Sequence, residues 1–161
     1  MPLVDSHCHL DLAAFDEDRL AALADGGIVA PFPIQAMTLP VALSGHDIIG
    51  QAKTGTGKTL GFGIPMLQRV VSPADEAAYA ALPVPGAPQA LAVAPTRELA
   101  MQVAADLERA GKRRGVRVLT VYGGRAYEPQ VEALRRGVEI VVGTPGRLLD
   151  LAAQGHLSLA H

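Results

Sequence analysis

Ala52-Lys53-Thr54-Gly55-Thr56-Gly57-Lys58-Thr59 is the stretch on which the reading of this chain turns. It follows a short apolar run, Asp47-Ile48-Ile49-Gly50, expected as a strand, and leads into residues 59–71, expected as a helix. A glycine-rich turn between strand and helix lets successive backbone N–H groups curl around an anion. The helix start adds partial positive charge at the same point. In this pattern Lys58 reaches toward the β- and γ-phosphates of a nucleotide, and the Thr59 hydroxyl is placed to ligate Mg²⁺. Ala52 stands where a first glycine is usual.

Outward from this loop, short β-rich runs alternate with helical stretches. Residues 90–94, 116–122 and 138–142 read as strands. Residues 97–113, 129–136 and 145–153 read as helices. Thr144-Pro145 supplies an N-cap hydroxyl and a proline at the first helical position, and Thr96 can cap its helix in the same way with Glu98 in the first turn. Residues 72–89 hold four prolines and read as a surface loop. Such alternation predicts an α/β domain with a parallel sheet and helices on both faces.

Composition narrows the function classes. The chain has 161 residues, 49% apolar and 19% charged, which is globular and long enough for a core. Aromatics reach only 4%, so Ala, Val, Leu and Ile must fill that core. The lone Cys8 permits no internal disulfide. No uncharged apolar run approaches the ~20 residues of a membrane helix. No signal peptide is visible, and a cytoplasmic protein is expected. The net charge is −2, yet it is unevenly spread. Residues 1–50 carry seven acids against Arg19 alone, whereas residues 97–147 carry ten Arg or Lys against six acids. The basic excess marks the second stretch as the one suited to a polyanion. Lys112, Arg113 and Arg114, taken by themselves, read as the solvated end of a helix.

The A-x-T-G-x-G-K-T form of the loop resembles that of DEAD-box RNA helicases, and further matches follow in that family's order. Gly27-Ile28 with Pro33-Ile34-Gln35 resembles the Q motif, Pro95-Thr96-Arg97-Glu98-Leu99-Ala100 motif Ia, Gly123-Gly124 the GG motif, and Thr144-Pro145-Gly146-Arg147 motif Ib. The resemblance covers residues 19–161 and implies an N-terminal, ATP-binding RecA-like domain. It implies ATP and Mg²⁺ as cofactors, held by Gln35, Ala52, Thr54, Gly55, Thr56, Gly57, Lys58 and Thr59. Gln35 would read the adenine edge, since one amide both donates and accepts. The resemblance also implies RNA as partner, met by Pro95, Thr96, Arg97, Gly123, Gly124, Thr144, Pro145, Gly146 and Arg147. Hydroxyls, helix-start N–H groups and guanidinium charge suit phosphates and read no base, so the contacts are expected to be indifferent to sequence.

The sequence stops at His161, whereas family members continue into a strand bearing Asp-Glu-Ala-Asp. The resemblance thus implies an incomplete domain that grips nucleotide and RNA with little hydrolysis of its own. Exposed strand edges near the phosphate loop are expected as well.

The first 18 residues depart from the family. Val4-Asp5-Ser6-His7-Cys8-His9-Leu10-Asp11 resembles the opening of TatD-type metal-dependent hydrolases, where a His-x-His pair shares a divalent metal. Two ligands make no catalytic site, and this head is expected not to be a folded unit. At the family's spacing for an adenine-stacking aromatic stands Leu10, with Phe15 displaced toward the Q motif. Two other readings stay open beside the helicase one: a non-enzymatic nucleotide- or RNA-binding module, and a metal-dependent hydrolase remnant built on His7 and His9.

Overall fold

The computed structural model describes residues 31–158. The readings placed on His7, Cys8, His9, Leu10, Phe15 and Gly27-Ile28 lie outside the described residues. The chain falls into two compact units, one running to Pro65 and the other beginning at Met66.

Within the first unit, α1 spans Pro33–Leu43. Proline at its first position needs no N–H partner, and the Gln35 side chain accepts from the Phe32 backbone N–H at 3.0 Å, closing the helix start. The sequence gives little warning of this helix, because Pro40 lies inside it. Its buried Leu39 packs with Ile64, flanked by Leu43 and Leu60. The second helix, α2, covers Lys58–Arg69, its residues from Met66 onward belonging to the second unit. The strand expected at residues 47–50 does not form. Residues 46–50 hold no regular structure, Ile48 is 41% exposed and Ile49 fully so. A strand exists only through a ladder with a neighbour, and among the described residues none pairs with this run.

The second unit is a three-stranded parallel sheet between helical layers. After α2 comes a one-turn helix, α3 (Glu76–Ala80), inside the proline-rich loop, capped by the Asp75 carboxylate on the Ala78 N–H. Then follow β1 (Ala90–Val93), α4 (Arg97–Gly111) with a 3₁₀ turn at Lys112–Arg114, β2 (Val118–Val121), α5 (Glu128–Arg136), β3 (Ile140–Gly143) and α6 (Pro145–Ala153). The strand order is β1-β3-β2, with Ala90 and Val118 both in register with Ile140. The central β3 is buried along its whole length, as a strand covered on both faces must be.

Alternation along each strand sorts the core into two layers. Ile140, Val142, Ala92 and Ala94 meet Leu67, Val70 and the α4 residues Ala100, Val103, Ala104 and Leu107. Val141, Val121, Leu91 and Leu119 meet Val131 and Leu134 of α5 and Leu148 and Leu151 of α6. Helices therefore lie on both faces, as expected. Arg114 caps the carboxyl end of α2, its guanidinium donating to the carbonyls of Leu67 and Val70. That gives one member of the basic trio a structural task where a merely solvated end was expected.

Candidate functional site

In the first unit the glycine loop leads into α2, which begins at Lys58. Gly55 and Gly57 both take positive φ, 80° and 75°, a region that favours glycine. The Lys58 ammonium is folded against the loop, donating to the carbonyls of Ala52 and Lys53. The Thr56 hydroxyl donates to the Lys53 carbonyl at 2.7 Å and closes the turn. The loop thus curls around its own lysine, with Thr59 in the first turn of the helix.

Gln35 is 3% exposed and is joined to this loop. Its Nε2 donates to the Gly57 carbonyl at 2.9 Å while its Oε1 accepts from Phe32. A Cβ at Gly57 would come within 2.3 Å of that Nε2, so glycine is required for contact as well as for φ. Gln35 is therefore a seam between α1 and the loop, with one N–H and one lone pair left for another group.

In the second unit all three predicted contact segments follow strands of one parallel sheet. Pro95-Thr96-Arg97 comes after β1, Gly123-Gly124 after β2 and Thr144-Pro145-Gly146-Arg147 after β3. They share the carboxyl edge, where open α/β sheets bind ligands. The Thr96 hydroxyl accepts from the Leu99 N–H and caps α4, as expected. Thr144 stands at the cap of α6 with Pro145 at the first position, but its hydroxyl makes no capping bond.

Contacts draw these segments together. Gly124 has φ +82°, and a Cβ there would lie 3.1 Å from Arg97 Nη1. From the other side, Arg147 Nη2 donates to the Arg125 carbonyl at 3.3 Å. The glycine pair is thus bracketed by the two predicted arginines. Three residues not foreseen complete the cluster. Arg125 is exposed and sits over the Tyr122 ring, 5.6 Å from its centroid. Tyr127 lies under the Arg147 guanidinium at 5.2 Å. Gln130, buried, donates to the carbonyls of Ala126 and Tyr122 and holds the loop closed from below. A basic residue directly after Gly123-Gly124 was the signal available for Arg125; nothing local marked Tyr127 or Gln130. The Tyr127 phenol is pushed above its ordinary range by burial and by Asp150, against the pull of Arg147.

Comparison with known proteins bears on this geometry. The sequence pattern described as DEAD/DEAH box helicase matches residues 32–160. This chain belongs to that family.

Helicase relatives match closely but extend much further. The DEAD-box ATP-dependent RNA helicase CshA of Streptococcus pneumoniae is 49% identical over 142 residues, 88% of this chain and 25% of that protein. The ATP-dependent RNA helicase DeaD of Escherichia coli is 48% identical over 142 residues, 88% of this chain and 21% of that one. The chain thus spans about a quarter of the length of these helicases. Among solved structures, a DEAD box protein from Methanococcus jannaschii superposes with a TM-score of 0.78 at 35% identity, covering 95% of this chain and 38% of that one. A hypothetical ATP-dependent RNA helicase from Sulfolobus tokodaii gives 0.74 at 35% identity, covering 88% and 38%. The α/β fold is the RecA-like one of DEAD-box proteins. No helix among the described residues is long and apolar enough to cross a membrane.

Proposed function

We propose that residues 19–161 form part of the N-terminal, ATP-binding domain of an RNA helicase, and that this chain binds ATP·Mg²⁺ and the RNA backbone at separate surfaces. The reading rests first on the joined loop of the first unit, where Gln35 bonds to Gly57 and the Lys58 ammonium folds onto the Ala52 and Lys53 carbonyls. These residues fit a triphosphate tail. A lysine at the lip of a glycine turn and a helix start supply charge, and the small loop residues leave room for phosphate oxygens. Thr59 would ligate Mg²⁺, Ala52, Thr54, Gly55, Thr56 and Gly57 would present backbone N–H groups, and Gln35 would meet adenine with its remaining donor and acceptor. Bound ATP·Mg²⁺ supplies the phosphoanhydride that the whole helicase would cleave. The ATP-dependent relatives support this assignment.

The carboxyl edge of the sheet would take RNA. Thr96, Arg97, Gly124, Thr144 and Gly146 offer hydroxyls, charge and close backbone approach, with Pro95, Gly123, Pro145 and Arg147 shaping the same rim. None of these groups presents a base-reading pattern, so binding should follow phosphate count rather than sequence. A cytoplasmic location belongs to the same proposal. Fluorescence anisotropy with labelled single-stranded RNAs of equal length tests it. Expected are affinities within about threefold across sequences and a steep fall with salt. Strong preference for one sequence would contradict a backbone-only surface.

A further inference from the structure

The predicted RNA rim holds three arginines, and their surroundings differ. Arg97 and Arg125 are exposed, whereas Arg147 is half-buried. The Arg147 guanidinium lies on the Tyr127 ring, its Nη2 bonds to the Arg125 carbonyl, and its Nη1 is buried with no partner among the described residues. Tyr127 also meets the His156 ring in a T-shaped contact at 6.0 Å, and its hydroxyl is buried without a partner among the described residues. A guanidinium stacked on a ring and bonded to a backbone carbonyl has given up the freedom that an outward phosphate contact needs. Its one directed bond crosses from the start of α6 to the loop after β2. Gln130 holds that same loop from inside, through the Tyr122 and Ala126 carbonyls.

On the basis of the RNA reading above, we infer that Arg147 is a positioning residue. Seated on Tyr127, it clasps the Gly123–Arg125 loop to the start of α6, and Arg125 is the cation this loop offers to phosphate. The clasp needs a planar, two-pronged group. Lysine keeps the charge but neither stacks flat on a ring nor fixes a direction. Tyr127 contributes its ring, not its unpartnered hydroxyl. The Arg125 guanidinium, over Tyr122, is carried by the very peptide that Arg147 holds.

Salt-dependent RNA affinity separates positioning from contact, because each phosphate contact on a single strand contributes about 0.7 to the slope of log affinity against log salt. Arg125→Ala should lower that slope by about 0.7. Arg147→Lys and Tyr127→Leu should each weaken RNA binding by roughly five- to thirtyfold, the span of a ~1–2 kcal/mol contact, with the slope unchanged. The double variant should be little worse than either alone, since both remove one clasp. Tyr127→Phe should recover most of the loss. Amide hydrogen exchange supplies a readout that needs no RNA: Gly124, Arg125 and Ala126 should exchange faster in Arg147→Lys. A slope reduced by about 0.7 in Arg147→Ala, with lysine restoring both slope and affinity, would make Arg147 a phosphate contact and overturn the inference. Unchanged exchange in the loop would overturn it too. Failure of the unsubstituted chain to bind any RNA would remove the RNA reading itself, while faster exchange in Arg147→Lys would still uphold the clasp.

Discussion

At Gly57 two demands coincide that a sequence shows only in part. A glycine after Gly55-Thr56 signals a turn, but the reason no other residue serves is the Gln35 amide seated on its carbonyl. Gly57→Ala would face a left-handed φ of 75° and a 2.3 Å approach to Gln35 Nε2. It should cost about 1–2 kcal/mol from the backbone alone and loosen nucleotide binding. A lowered melting temperature together with weaker binding of an ATP analogue is the expected result, read by thermal denaturation and titration. Motif spacing made Gln35, Lys58, Arg97 and Gly124 legible as candidates. It could not reveal that Gln35 turns toward the loop backbone, or that the Arg97 guanidinium lies beside Gly124. Arg125 and Tyr127 escaped for a physical reason: an exposed arginine and a half-buried tyrosine are ordinary residues until the fold brings Arg147 between them.

The elements were read more accurately than the residues between them. Residues 145–153 are expected as a helix and form α6 with those bounds; the other strands and helices expected in the second unit differ by a few residues at their ends, while α3 forms inside residues expected as a loop. Periodicity fixes which residues are buried, while capping and pairing fix where an element stops. The phosphate-loop strand failed because pairing is not written in a single run: Ile48 and Ile49 have strand-forming side chains but no ladder. The proline-rich loop also hid an anchor. Glu139, fully buried before β3, accepts from the Arg117 guanidinium and backbone N–H and from the Tyr79 hydroxyl at 3.0 Å, tying α3 to the strand starts. Arg117→Ala would leave that carboxylate buried with its charge unpaired, and should destabilise by about 3 kcal/mol in denaturant unfolding. Burial, followed by the Glu139 hydrogen bond, raises the Tyr79 phenol above its ordinary value near 10. A raised acid favours the neutral form in the folded state. Its contribution is whole below pH 10 and is lost as pH climbs through the folded value. Melting temperature should therefore fall less steeply above pH 10 in Tyr79→Phe than in the unsubstituted chain, although that variant starts lower.

For the molecule as a whole, the alternating pattern and the ordered motifs carried the fold class and the family, both of which the comparisons bear out. The charge distribution adds a physical rationale for the proposed RNA surface. Net charge −2 conceals a basic stretch, and its Arg97, Arg125 and Arg147 gather at one edge of one sheet. The central claim is that the loop at residues 52–59 grips a nucleotide through Lys58. Titrating a fluorescent ATP analogue with Mg²⁺ into the chain and into Lys58→Ala tests it most directly. Saturable, Mg²⁺-dependent binding that weakens at least about tenfold in the variant, the loss of one charge-assisted contact of ~1.4 kcal/mol or more, is the predicted result. Equal binding by both proteins, or none by the unsubstituted chain, would contradict it.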